Sequence, residues 1–141
     1  MIRVFNIRDM NNKHKYMGTL RYNTETKQFS LELADSYKGC HPDLFMIRCE
    51  ELGLKEMPQW MVDLWIKQRL CPPNVADIQD ILEMAGLEEY DEMGLFDFNH
   101  GICCMDSYYF DEVGGMLEYR KKHDKYWKDY EAYMRKHGLN I

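Results

Sequence analysis

Residues 16–34, YMGTLRYNTETKQFSLELA, decide the predicted fold because they hold two alternating runs separated by a short polar connection. In the second run, Phe29 to Leu33, apolar residues alternate with polar ones, which is the period-two pattern of a strand with one buried face. Residues 1–7 add a third run upstream of these two. Polar connections between such runs favour hairpins. The sequence therefore predicts an N-terminal three-stranded antiparallel meander over residues 1–35.

Beyond the meander, the apolar residues recur with the period of helices. Pro72 and Pro73 end one helical pattern, and Asn74 suits the N-cap of the next. Ile78 to Ala85 follow the spacing of an amphipathic helix, and Gly86 is placed for its C-terminal stop. We therefore predict that residues 36–114 form four to five helices.

The last predicted element is a long helix from about Gly115 to His137, rich in basic and aromatic residues. Its tyrosines recur at helical spacing and form one seam. In one interpretation the seam packs on the meander. In the other it is a pairing surface for a second copy of the chain, as a homodimer, or for a partner, because tyrosine is a common interface anchor. The residues of this self-association surface are Tyr119, Tyr126, Tyr130 and Tyr133. Residues 115–138 would complete a single α+β domain of residues 1–141.

The composition predicts a folded domain that neither crosses a membrane nor enters the secretory pathway. Hydrophobic residues make up 45% of the chain, which suits a globular core. No apolar run approaches the ~20 residues of a membrane span, and the N-terminus lacks the features of a signal peptide. The five cysteines include no CxxC pair, which favours reduced thiols. We therefore expect a cytoplasmic protein.

Charge is distributed unevenly along the chain, whose formal net charge is −6. Between Arg69 and Arg120 there is no Lys or Arg, whereas these 50 residues hold twelve acids. Residues 120–137 carry seven basic side chains against three acids. The acids that we assign to a partner-binding surface are Asp77, Asp80, Glu83, Glu88, Glu89, Asp91, Glu92 and Asp97.

Three interpretations of this charge map remain open. In the first, the basic helix lies across the acidic segment, and each surface ion pair contributes only ~0–1 kcal/mol. In the second, the acidic segment stays exposed, resembles the charge of a nucleic-acid backbone and binds a basic groove in another protein. The third is direct binding of nucleic acid, which the net charge disfavours. Its lysines would be Lys121, Lys122, Lys125 and Lys128.

The sequence carries no recognisable catalytic signature, because it has no phosphate-binding loop, no GxSxG, no HExxH and no deaminase pattern. Five residues have zinc-binding chemistry, although buried thiols are a commoner role for cysteine. These residues are Cys40, His41, His100, Cys103 and Cys104. A Cys–His nucleophile among them, or a hard-cation site at Asp91-Glu92 or Asp111-Glu112, is a further alternative. We expect a protein that is not an enzyme and has no metal or cofactor.

Residues 60–110 resemble part of a known family. Trp65 and Arg69 share a predicted helix that a proline follows, and Gly101 precedes the turn from Asp106 to Phe110. This pattern resembles the N-terminal segment of HipA-like proteins of Gram-positive bacteria, in which a Trp–Arg–Pro helix precedes a Gly and an Asp-x-Tyr-Trp turn. The resemblance implies a bacterial or mobile-element setting. It does not imply kinase activity, because the HRD, DFG and strand-lysine motifs are absent.

The general type of the chain is similar to the small phage-encoded inhibitors of CRISPR nucleases. An RNA-guided nuclease offers basic channels for nucleic acid, which an acidic protein can occupy. We therefore predict a non-enzymatic, anti-CRISPR-like inhibitor that binds a nucleic-acid-handling protein, such as a Cas9-type nuclease, through an acidic surface. The alternative is a HipA-like regulatory module that pairs with a separate kinase-like partner.

Overall fold

A four-stranded antiparallel sheet and four α-helices form the α+β fold. The computed structural model describes residues 1–35 and 43–113, together with Ala132 and Lys136. The strands are β1 (Ile2–Asp9), β2 (Lys15–Asn23), β3 (Gln28–Leu33) and β4 (Tyr108–Glu112). The helices are α1 (Leu44–Glu51), α2 (Gln59–Lys67), α3 (Ile78–Ala85) and α4 (Glu92–Asn99), and a short 3-10 helix (Met10–Asn12) follows β1.

The prediction of a three-stranded meander is wrong, because a fourth strand from the distant end of the described chain completes the sheet. The strand order is β3-β2-β1-β4, so β1 is a central strand. β4 runs antiparallel to β1 and sets Phe110 opposite Ile7. The sequence analysis placed the residues of β4 in the helical region. β4 is only five residues long and pairs with a strand about a hundred residues away, so no local pattern indicated it.

The predicted long C-terminal helix is also not among the helices of residues 1–35 and 43–113. Its range, Gly115 to His137, lies outside the described residues except for Ala132 and Lys136, which are helical and exposed. The predicted self-association tyrosines therefore lie outside the described residues, and so do the four lysines of the nucleic-acid interpretation. These residues are Tyr119, Tyr126, Tyr130 and Tyr133, with Lys121, Lys122, Lys125 and Lys128.

The core lies on one face of the sheet, where alternate residues of β1, β3 and β4 are buried; in β2, residues 17–20 are buried in succession. Phe96 of α4 packs into the centre of this face. Its ring lies 5.5 Å from that of Phe5, 5.9 Å from that of Phe29 and 4.9 Å from that of Phe110, measured between centroids. Aromatic pairs at such distances contribute ~0.5–1.5 kcal/mol each beyond the buried area. α4 is thereby fixed against β1, β3 and β4.

Local signals set the ends of several helices. Asp43 accepts hydrogen bonds from the backbone N–H groups of Phe45 and Met46 and so caps α1. The predicted stop of α3 is confirmed, because Gly86 is its C-cap and has a φ of 73°. The predicted N-cap Asn74 is wrong, since α3 begins three residues later, after Asp77. None of the described helices is both long enough and apolar enough to cross a membrane.

Candidate functional site

The eight acids that we assigned to partner binding occupy three different environments. Five of them are exposed, at the start of α3, on its outer side and in the turn after it: Asp77, Asp80, Glu83, Glu88 and Glu89. We call these five carboxylates the acidic ridge. No ion pair joins the ridge to a Lys or Arg within residues 1–35 and 43–113.

The amphipathic pattern of α3 explains why the ridge faces solvent. Leu82 is buried in the core, and Ile78 and Ile81 pack against the core from the same helix. Because one side of α3 is used in this way, Asp80 and Glu83 project from the other side. Like charges three residues apart repel each other weakly. Asp80 also lies in the first turn of α3, where its negative charge is favourable for the helix dipole.

Two further acids, Asp91 and Glu92, line a cleft at the start of α4. Asp91 also caps this helix, because its carboxylate accepts a hydrogen bond of 2.9 Å from the backbone N–H of Gly94. Burial raises the pKa of Glu92, and the nearby charge of Lys67 partly opposes that effect. These two acids therefore sit in a partly enclosed setting that differs from the ridge.

The eighth acid, Asp97, bonds with the guanidinium of Arg3. Both Nη atoms of Arg3 donate to Asp97 at 2.9 Å, while Nε donates to Glu112 at 2.8 Å. The hydrogen bond to Glu112 and the charges of both acids raise the pKa of Arg3 although burial opposes them. Asp97 therefore ties α4 to β1, and its charge faces an internal partner.

The residues that carry the HipA-like resemblance meet in one buried cluster. The guanidinium of Arg69 lies over the indole of Trp65, and it also faces the rings of Tyr108 and Phe110. One Nη atom donates to the carbonyl of Gly101 at 2.7 Å, and the other donates to the carboxylate of Asp106. The cluster thus joins α2 to the segment that leads into β4.

Desolvation dominates the electrostatics of this cluster. Burial lowers the pKa of Arg69 although Asp106 acts in the opposite direction. Burial likewise raises the pKa of Asp106 although Arg69 opposes it. Burial thus disfavours the charged form of both groups, as is usual for buried ion pairs. The cluster is therefore part of the structural core.

Asp43 joins this cluster to α1, a contact that sequence reasoning missed. One carboxylate oxygen caps α1, while the other accepts a hydrogen bond of 2.7 Å from Nε1 of Trp65. An acid beside a proline at the start of an apolar helical pattern was the available signal for the cap. Nothing in the local sequence indicated its second partner, which lies 22 residues away.

A second polar cluster, also missed, lies where the β1–β2 turn meets β4. Nδ1 of His14 and the hydroxyl of Tyr109 share a hydrogen bond of 2.7 Å, and Ser107 donates to Asp9. Nε2 of His14 is buried without a hydrogen-bond partner within the described part of the chain. Burial, and then the charge of Arg8, lowers the pKa of His14. The cluster therefore anchors the turn to β4.

The thiols and histidines of the zinc interpretation are only partly described. Cys40 and His41 lie outside the described residues. Cys103 donates to the carbonyl of Gln68 at 3.5 Å, and Cys104 is exposed. Within the described ranges no three His, Cys, Asp or Glu side chains converge as metal ligands.

Comparison with family models, with curated proteins and with solved structures gives no match. The description of this protein therefore rests on its own sequence and structure. It is an α+β protein with a four-stranded antiparallel sheet, an exposed acidic ridge and a cleft that contains charges of both signs. The resemblance to the HipA-like segment and the similarity to CRISPR inhibitors stay predictions.

Proposed function

We propose that this protein is a non-enzymatic inhibitor from a phage or another mobile element. It acts in the cytoplasm by binding a nucleic-acid-handling protein, with a Cas9-type nuclease as the most concrete target. The observation that supports the proposal is the acidic ridge, whose carboxylates are exposed and have no ion-pair partner within residues 1–35 and 43–113.

The spacing of the ridge charges suits a groove that binds phosphates. Asp77, Asp80 and Glu83 are three residues apart, so they follow one another at ~4.5 Å along the axis of α3. Phosphates follow one another at ~3.4 Å along one strand of B-form DNA. A row of lysines and arginines that binds a phosphate backbone therefore also attracts the ridge.

Capture of the nuclease tests this proposal. The tagged protein is incubated with the Cas9–guide complex at ~0.1 M and at ~1 M salt, where the Debye length is ~10 Å and ~3 Å. We expect capture at the lower salt concentration and its loss at the higher one. Absence of capture at both salt concentrations would contradict the proposal.

The alternative is a HipA-like regulatory module that pairs with a kinase-like partner. What supports it is that Trp65, Arg69 and Asp106, which carry the resemblance, meet in one cluster. These side chains are buried, so in this function they shape the fold and leave partner contact to other residues. Co-expression with a kinase-like protein from the same genome tests the alternative. A complex that survives charge reversal of the ridge would favour it over inhibition of a nuclease.

A further inference from the structure

A cleft of about 420 Å³ opens at the start of α4. Four separate segments line it: the end of β2 with the β2–β3 turn, the end of α2, the loop after α2, and the start of α4. Its volume lies in the range of ~300–1,000 Å³ that is typical of small-molecule sites. The lining residues are Tyr22, Lys27, Lys67, Pro72, Pro73, Tyr90, Asp91 and Glu92.

A largely buried tyrosine, Tyr22, contributes its hydroxyl group to this cleft. Tyr22 is 5% exposed, and its ring packs on Phe29 with centroids 4.6 Å apart. Its hydroxyl makes no hydrogen bond with a residue of the described ranges, and it is not one of their buried unpartnered atoms, so it is open to solvent in the cleft. Burial, and then the charges of Asp91 and Glu92, raises the pKa of Tyr22, so the hydroxyl stays protonated and is a hydrogen-bond donor at neutral pH.

The charges of the cleft are complementary but not paired. Lys27 and Lys67 lie in the same cleft as Asp91 and Glu92, yet no ion pair joins a lysine to either carboxylate. A cleft lined by two cations and two anions that form no ion pair suits a ligand that carries one charge of each sign, although Lys67 lies close enough to Glu92 to influence the pKa of that acid. The remaining wall consists of Pro72, Pro73 and Tyr90 and is largely apolar. Tyr90 is held in place because its hydroxyl donates a hydrogen bond of 2.8 Å to the carbonyl of Cys71.

We propose that the cleft binds a free α-amino acid with an aromatic or large apolar side chain. The lysines and the hydroxyl of Tyr22 receive its carboxylate, and Asp91 with Glu92 receives its ammonium group. Its side chain packs on Tyr90 and the two prolines. This ligand site goes beyond the proposed inhibitor function and uses none of the five carboxylates of the acidic ridge.

Titration with L-phenylalanine, followed by NMR of the full chain, tests the site. We use concentrations up to ~10 mM, which detect even a millimolar Kd. N-acetyl-L-phenylalanine lacks the ammonium charge, and L-phenylalaninamide lacks the carboxylate. We expect L-phenylalanine to shift amide signals of the cleft residues and each analogue to bind at least tenfold more weakly. No shift with L-phenylalanine, or equal binding of the three compounds, would overturn the proposal.

Three variants locate the binding in the cleft. Tyr22→Phe keeps the packed ring and removes only the hydroxyl, while Lys67→Gln and Glu92→Gln each remove one charge. We expect each to weaken L-phenylalanine binding roughly tenfold, because a hydrogen bond to a charged group is lost. Glu51→Gln, an exposed acid at the end of α1 and outside both the cleft and the ridge, is the control and should bind as the wild type does. Circular dichroism establishes that each variant is folded. Wild-type affinity in all three folded cleft variants would overturn the proposal, whatever the outcome of nuclease capture.

Discussion

The Cζ atom of Arg69 lies 4.1 Å from the centroid of the Trp65 ring, one helical turn earlier in the chain. Both side chains are almost fully buried, at 4% and 1% exposed. The guanidinium is therefore stacked on an aromatic face and bonded to Asp106 at the same time. Such an arrangement uses the planar shape of arginine, which lysine does not share. Arg69 thus joins α2 to the segment before β4.

We predict that Arg69→Met lowers the free energy of unfolding by roughly 3–5 kcal/mol, because it leaves the carboxylate of Asp106 buried and unpaired. Asp106→Asn should recover part of this loss when combined with Arg69→Met, since the amide is neutral and still accepts the hydrogen bond from the N–H of Tyr108. Urea unfolding of the single and double variants gives the comparison. A double variant as unstable as the sum of the two single variants would show that the charges are not coupled.

Two glycines provide a matched test of packing: Gly101, which precedes β4, and Gly86, at the end of α3. Gly101 has a φ of 68°, and a Cβ there would lie 2.6 Å from the ring of Phe96. Gly86 has a similar φ of 73°, but a Cβ there would meet nothing within 4 Å. We expect Gly86→Ala to cost ~1–2 kcal/mol from the left-handed backbone alone. Gly101→Ala should cost ~1–3 kcal/mol more, because it overpacks the core. Thermal unfolding measures both, and equal losses would refute the packing argument.

The lowered pKa of His14 predicts a pH dependence of stability. As the pH falls through the ordinary value of 6.5, the unfolded chain binds a proton at His14 before the folded protein does. The unfolded state then holds more protons, so the free energy of unfolding falls as the pH falls below that value.

His14→Asn removes the titrating group, and asparagine tolerates the φ of 58° at this position. Between about pH 7 and about pH 5.5, the wild type should lose more stability than the variant in urea unfolding. An equal or larger loss in the variant would contradict the assignment.

Local patterns located several elements, because their information lies within one segment. Alternation over residues 16–34 corresponds to β2 and β3, and the apolar spacing from Ile78 corresponds to α3. The number of strands was wrong because β4 depends on pairing with β1, which no local pattern encodes. The exposure of Asp80 and Glu83 follows from their positions on the outer side of α3.

The other sites could not be predicted, since each is assembled from distant segments. Arg69 meets Asp106 from 37 residues away, and Arg3 meets Asp97 from 94 residues away. In the second pair, the carboxylate of Asp97 bonds with Arg3 of the same chain, whereas the sequence alone assigned it to the partner-binding surface. The cleft likewise combines four segments, so its charges share no motif.

Inhibition of DNA cleavage by the Cas9–guide complex tests the proposed function most directly. One variant reverses four ridge acids to lysine, and a control variant reverses four exposed acids elsewhere in the described chain. The ridge acids are Asp80, Glu83, Glu88 and Glu89, and the control acids are Glu25, Asp35, Glu51 and Glu56. Both sets change the net charge equally, although Glu25, Asp35 and Glu51 of the control set also lose exposed ion pairs with the N-terminus, Lys55 and Arg48. We predict that the wild type and the control variant inhibit cleavage, while the folded ridge variant does so at least ~100-fold less well, as expected when several charge contacts are lost together. Equal inhibition by the ridge and control variants, or no inhibition by the wild type, would contradict the proposal.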